Sequence, residues 1–318
     1  MISDLQVFNQ YAYTTFLEKL SYNINLFNAA TKGGLALSAG RNQGDFSQST
    51  FYQRISGLVR RRNAYGTGAQ STSQIAMAQR STVKIAAGTL PIDISPHYWQ
   101  WLDLPSDQAG VLVGQQMAED TLADMVAVAI KAFVAAQTNV GATVTSDQTA
   151  GTLTFATLNA GPALFGDRAA EIVCWIIHSK PMFDIFGVTL ANSARLFNFG
   201  TVNVVADPFG RPFVITDESD LAYTSSGAKY HTLGLAPQAV MIEQNDDYFQ
   251  NIITLNGDEN IIRTWQAQWT FNMGLKGFTW DKTNGGASPT NAALATGTNW
   301  DKVAASIKDL PGVLVNSQ

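Results

Sequence analysis

Charge is what this sequence has least of. Acidic and basic residues make up 14% of its 318 positions, against roughly 25% in an ordinary soluble domain. Neutral polar side chains fill the gap, with 20 Asn, 20 Gln, 29 Thr and 20 Ser. The hydrophobic fraction, 46%, is ordinary, which excludes a disordered chain and leaves enough apolar surface for a full core. What is thin is the mutually repelling surface that keeps a free monomer dispersed. Either other copies cover that surface, or the protein is a neutral-surfaced binder that grips sugars. Cysteine is nearly absent: Cys174 stands alone and cannot form an internal disulfide, which favours a reducing compartment over a secreted route. No run of 18 apolar residues occurs, the richest stretch being residues 125–136 with Lys131 inside it, so no membrane span is expected. The N-terminus lacks the basic start and unbroken apolar stretch of a signal peptide.

Chemistry-bearing constellations are also missing. The histidines His97, His178 and His231 are far apart, and no His-x-x-x-His or Cys-x-x-Cys is present, so zinc has no basis in the sequence. There is no Gly-x-x-x-x-Gly-Lys-Ser/Thr and no Gly-x-Gly-x-x-Gly after a strand, which leaves nucleotide binding without support. The stretch around Ser38 lacks the first glycine of a nucleophile elbow. Asp246-Asp247 lacks the further spaced ligands of a calcium loop and reads as a solvated turn. Cys174, between Val173 and Trp175, reads as a buried inert thiol in mid-helix, and His178 as the C-terminal turn of the same helix. No enzyme, cofactor or metal is expected; a hydrolase survives only as a remote alternative.

What is present is pattern. Leu5, Phe8, Ala12, Phe16, Leu20, Ile24 and Phe27 recur every three or four positions, predicting a long amphipathic helix. Residues 32–84 carry eight basic residues against one acidic, Asp45, a balance of +7 in a chain whose net charge is −5. The remainder is therefore −12, and the molecule divides into a basic arm and an acidic body. Within the arm, residues 49–59 and 73–85 flank the turn-rich Asn63-Ala-Tyr-Gly-Thr-Gly68 and predict a hairpin with a flexible tip. A lone hairpin is marginal in water. Arg54, Arg60, Arg61, Arg62, Arg80 and Lys84 are its candidate contact residues. The cluster Arg60-Arg61-Arg62 suits an acidic neighbour better than nucleic acid, since the chain is acidic overall with a pI near 5.2.

Residues 106–138 give the longest helical pattern, with Ser106 as candidate N-cap. Residues 144–158 suggest a hairpin, residues 166–179 and 185–197 helices, residues 202–205 and 212–216 strands, and residues 299–309 a short helix. The clearest signal is residues 261–275. Odd positions from Trp265 to Leu275 are apolar and even ones are Thr, Gln, Asn or Gly, the alternation of a long half-buried antiparallel strand. Trp265 and Trp269 have the chemistry of a sugar-stacking platform, but their place in that alternation favours a core role.

In order of elements the chain resembles the major capsid proteins of tailed bacteriophages, which share the Hong Kong-phage capsid fold with herpesvirus floor domains. The stretches that carry the resemblance are His178-Ser-Lys-Pro-Met-Phe-Asp-Ile-Phe186, Gly234-Leu-Ala-Pro-Gln-Ala-Val-Met-Ile-Glu243, Asn256-Gly-Asp-Glu-Asn-Ile-Ile-Arg263 and Gly277-Phe-Thr-Trp-Asp281. The resemblance implies an α+β fold: N-terminal helix and arm at 1–45, extended loop at 46–95, peripheral domain with spine helix at 96–160, axial α/β domain at 161–234, long strands of the peripheral domain at 235–282, and a tail at 283–318. It implies a non-enzymatic subunit that self-assembles into the pentamers and hexamers of an icosahedral virion capsid in the host cytoplasm. The implied partners are further copies of itself, separate scaffold and portal proteins, decoration proteins, and packaged dsDNA held non-specifically, with no membrane. A scaffold fused at the N-terminus is not expected, because only some 45 residues precede the loop. A glycan-binding module remains the alternative.

Overall fold

The computed structural model describes residues 2–40, 44–52, 59, 61–69, 72, 77–95, 105–186, 195–199, 202–206, 210–257 and 259–318. In chain order the helices are α1 (Ile2–Ala30), α2 (Ser106–Val140), α3 (Phe155–Ala163), α4 (Ser179–Phe186) and α5 (Asn291–Leu294). The strands are β1 (Leu35–Ala39), β2 (Phe46–Tyr52), β3 (Met77–Gly88), β4 (Ile92–Asp93), β5 (Thr145–Asp147), β6 (Cys174–Ile177), β7 (Arg195–Phe199), β8 (Val202–Ala206), β9 (Pro212–Thr216), β10 (Ala222–Thr224), β11 (Ala228–Leu235), β12 (Val240–Gln244), β13 (Phe249–Leu255), β14 (Ile262–Leu275), β15 (Phe278–Trp280), β16 (Trp300–Lys302) and β17 (Gly312–Ser317). This is the α+β class that the sequence implied.

The first sheet runs β1-β12-β14-β3-β2, with β13 and β4 pairing the first half of β14. The alternation along β14 holds where one face meets solvent: Trp265, Ala267 and Trp269 are buried while Gln266 and Gln268 are exposed. From Phe271 onward both faces are buried, in the half of β14 that pairs with β3 and β12. The polar Asn272 is accommodated there by a reciprocal amide pair: Asn272 Nδ2 donates to Asn245 Oδ1 at 3.0 Å, and Asn245 Nδ2 donates back to Asn272 Oδ1 at 3.3 Å. A buried side-chain amide paired on both sides avoids the penalty of an unsatisfied one.

The apolar stripe of α1 is answered within the same chain. Phe8, Ala12, Phe16, Leu20 and Phe27 are buried; Phe16 packs on Trp269 with ring centroids 5.5 Å apart, and Phe8 meets Trp265 edge-on at 6.0 Å. The indole N–H of Trp265 donates to Asn9 Oδ1 at 3.1 Å. On its other flank α1 crosses α2 at Gly110 and Gly114, where an added Cβ would lie 2.7 Å from the Phe8 carbonyl oxygen and 2.6 Å from that of Ala12. The backbones approach this closely because neither glycine carries a side chain. At 35 residues and 1.5 Å per residue α2 is about 52 Å long. It is the helix that by length and composition could cross a membrane, yet 67% of its apolar window is buried inside the fold, so its apolarity is accounted for by the core. The residue before it, Pro105, is the N-cap without a side-chain hydrogen bond; Ser106 is the first helical residue instead.

The second sheet runs β5-β17-β11-β6-β9-β8-β7, with β10 on β11. Here several expectations give way. Residues 166–179 are not a helix: a 3₁₀ turn at Gly166–Glu171 leads into β6, every residue of which is buried. β6 is paired on both edges, by β11 and β9. A short apolar run buried on both faces shows no alternation, and its Ile176 and Ile177 are β-branched residues that favour strands. Cys174 is accordingly in a strand, still buried. His178 precedes α4, and its Nδ1 accepts from the Lys180 N–H at 3.2 Å, so it caps the start of a helix. Residues 144–158 form no hairpin; β5 pairs β17 in parallel, and Thr154 caps α3 by accepting from the Thr157 N–H while the Thr157 hydroxyl closes the capping box. The expected helix at 299–309 is β16 followed by one 3₁₀ turn. The strands at 202–205 and 212–216 are found as β8 and β9. Of the expected helix at 185–197, residues 187–194 lie outside the described residues and β7 occupies its end. The chain's last strand, β17, is inserted between β11 and β5, so the second sheet closes only when the C-terminal segment returns to it.

Candidate inter-subunit surface

The predicted hairpin is present: β2 pairs antiparallel with β3 from Phe46↔Val83 to Tyr52↔Met77. At the base β3 joins β14 and is half-buried, whereas β2 is exposed from Gln48 to Tyr52. Of the six candidate contact residues, Arg54 and Arg60 lie outside the described residues. Arg61 and Arg62 are exposed on the tip, next to Tyr65, which is 94% exposed. A tight turn holds that tip: the Tyr65 N–H donates to Asn63 Oδ1 at 3.0 Å and the Gly66 N–H donates to the Asn63 carbonyl at 3.3 Å.

Arg80 and Lys84 are placed differently, on β3 near the body. The Arg80 guanidinium packs over Gly274, whose added Cβ would lie 2.9 Å from Nη2, and Nη2 contacts Met241 Sδ at 3.7 Å. Burial lowers the Arg80 pKa and the nearby Glu243 opposes that shift. Lys84 sits opposite Asn272 in the β3–β14 register and is half-buried. The structure thus brings Arg61 and Arg62 together on the tip and separates Arg80 and Lys84 from them.

Several basic groups of the body are engaged internally. Arg168 donates to both carboxylate oxygens of Glu171, at 2.5 and 2.8 Å, and to Asp309 Oδ1 at 2.6 Å. Lys131 on α2 pairs with Asp220 at 2.8 Å. By contrast Asp120 and Asp124, one turn apart on α2, are exposed. Burial of its surroundings and the neighbouring Glu218 raise the Asp124 pKa, and Lys131 opposes. Nothing in a one-dimensional pattern shows where these acids lie relative to the rest of the fold.

The residues weighed for chemistry are dispersed. His231 Nδ1 is 2.7 Å from Asn316 Oδ1 and its ring stacks on Tyr223 with centroids 4.3 Å apart; its pKa is lowered by burial, against the Asn316 hydrogen bond and Asp220. Burial pushes the Cys174 thiol up to about 12, with Lys32 opposing, which keeps it a poor nucleophile at neutral pH. Asp247 accepts from the Thr270 N–H at 3.0 Å and from its hydroxyl at 2.5 Å, tying the turn before β13 to β14. Trp265 and Trp269 are in the core, as their alternation implied. Among the described residues no group of three His, Cys, Asp or Glu side chains is placed to hold a metal ion. His97 lies outside the described residues.

The sequence matches the major capsid protein 13-like family (Gp13-like) over residues 4–314. The chain belongs to that family. The resemblance seen in the sequence therefore holds: this is a phage major capsid protein and a structural subunit of the virion shell. Neither the sugar-binding module nor the hydrolase finds support. No curated protein matches the chain. Solved structures similar to it come from Microbacterium phage Oxtober96, at 10% identity over 91% of each chain with a TM-score of 0.49, and from Mycobacterium phage Bobi, at 13% identity over 89% of each chain with a TM-score of 0.48. A third is the acidic stable capsid of Helicobacter pylori bacteriophage KHP30, at 10% identity over 89% of this chain and 86% of that one with a TM-score of 0.45. All three TM-scores fall below 0.5, and the family assignment stands on the sequence match.

Proposed function

We propose that the subunit builds its shell by laying the basic hairpin of one copy on the acidic body of the next, in pentamers and hexamers of a closed icosahedral lattice. The observation that carries this is the exposed Arg61 and Arg62 on a hairpin tip of an otherwise acidic, charge-poor molecule. A hairpin whose outer strand is exposed from Gln48 to Tyr52 is marginal on its own, and the surface of opposite charge present in equal number is another copy. Contacts of this head-to-tail kind close into rings when the rotation permits. In this reading residues 46–95 are the extended loop, 106–140 the spine of the peripheral domain, and 161–234 the bulk of the axial domain. Arg54, Arg60, Arg61 and Arg62 make the contact, while Arg80 and Lys84 anchor the hairpin base. The role is structural and non-enzymatic, assembly takes place in the host cytoplasm, and scaffold, portal and any decoration proteins are separate chains. Packaged dsDNA meets an acidic protein and is held without sequence readout.

Reversing Arg60, Arg61 and Arg62 to Glu tests the contact. The variant is expected to keep the wild-type circular dichroism spectrum and melting temperature yet sediment as free subunits. Shells of normal yield from this variant would refute the hairpin's role.

A further inference from the structure

Asparagine is followed directly by glycine at two places in the chain, Asn256-Gly257 and Asn284-Gly285. Such a pair has a chemistry of its own. The glycine nitrogen can attack the side-chain Cγ of the asparagine and close a five-membered ring, because no Cβ on the glycine obstructs the approach. The two sites share this chemistry and differ in what holds them.

Asn284 is held in place by Asp281. The Thr283 and Asn284 N–H groups donate to Asp281 Oδ1 at 2.8 and 3.2 Å, and the Asn284 side-chain amide donates to Asp281 Oδ2 at 2.5 Å. The attacking group is committed as well, since the Gly285 N–H donates to the Asp281 carbonyl at 2.9 Å. Gly285 also has no room to turn: a Cβ added to it would lie 2.3 Å from Cζ2 of Trp280, whose indole N–H donates to the Gly286 carbonyl at 3.0 Å. Asn256 is the opposite case. It follows the last residue of β13, and both it and Gly257 are exposed. Gly257 has φ +125° and nothing within 4 Å of the place a Cβ would occupy. Among the described residues, neither the Asn256 side chain nor the Gly257 N–H makes a hydrogen bond.

We propose that Asn256 is a site of spontaneous modification, at which the Gly257 nitrogen displaces the side-chain amide, and that Asp281 protects Asn284 from the same reaction. The bond from Gly257 N to Asn256 Cγ forms, the Cγ–Nδ2 bond breaks, and ammonia leaves with the proton that Gly257 gives up. Water then opens the cyclic imide to aspartate or isoaspartate. No oxidant, reductant or cofactor is required. Each copy that reacts gains a negative charge beside the exposed apolar Leu255 and Ile261, at the end of a strand, Phe249–Leu255, that carries no charge of its own.

The test is peptide mapping by mass spectrometry of native protein held in mildly alkaline buffer, beside the same protein unfolded in guanidinium. In guanidinium the two sites should react at similar rates, since neither keeps its contacts. In the native protein Asn256 should react about tenfold or more faster than Asn284, because hydrogen bonds to a carboxylate must first break at Asn284. Asn256→Gln, whose longer side chain disfavours the ring, should abolish the acidic charge variant on isoelectric focusing without changing the melting temperature. Asp281→Ala should bring Asn284 toward its rate in guanidinium. Equal native rates at the two sites, or faster reaction at Asn284, would overturn the proposal. A folded Asp281→Ala protein in which Asn284 stays unreactive would overturn the protective role of Asp281.

Discussion

At the scale of single residues the tightest constraint lies where the C-terminal strand enters the second sheet. Gly312 pairs with Leu235 and Val313 with Gly234, and a Cβ on Gly312 would sit 1.9 Å from the Gly234 carbonyl oxygen. That neighbour is backbone, which cannot rotate aside, so Gly312→Ala must displace β17 or β11. Overpacking of this kind costs about 1–3 kcal/mol where side chains can yield, and more where they cannot. Gly312→Ala is therefore expected to lower the melting temperature sharply or to leave the subunit insoluble; an unchanged melt would show that β17 is not held as described. None of this was legible in the sequence, because a glycine in Pro311-Gly312 reads as a turn until its partner strand is known. The position of Arg80 was hidden for a related reason. It belongs to the same basic arm as Arg61, and only the β3–β14 register places it over Gly274.

At the scale of elements the long patterns could be read, whereas among the short ones the strands at 202–205 and 212–216 could be read and others could not. The stripe from Phe8 to Phe27 and the alternation from Trp265 to Leu275 each repeat over several periods, enough to fix type and buried face together. Their meeting point is testable: Phe16 packs on Trp269, and Phe16→Ala is expected to destabilise the subunit by about 3–5 kcal/mol, read as a shift in the denaturation midpoint. A loss below 1 kcal/mol would mean that α1 is not part of the core. The misread elements, 144–158, 166–179 and 299–309, are all short. In β6 the burial of both faces erases the alternation that marks a strand, and β5 forms only because β17 comes back to pair with it.

At the scale of the whole molecule the scarcity of charge acquires an address. Arg168, Lys131 and Lys180 are engaged by carboxylates of their own chain, while Arg61 and Arg62 on the hairpin tip and Asp120 and Asp124 on α2 are among the exposed charges, of opposite sign. A subunit built in this way carries little long-range repulsion and has complementary patches at different places on its surface, the condition for head-to-tail association. The family membership makes the product of that association a capsid shell. The most direct test of the central claim is negative-stain electron microscopy of the purified, concentrated protein beside its Arg60, Arg61 and Arg62 to Glu variant. Closed shells or rings of the native chain, with only dispersed subunits of the variant, are the predicted result. A native protein that stays a uniform 34.3 kDa monomer at high concentration, or a variant whose shells match the native ones, would contradict it.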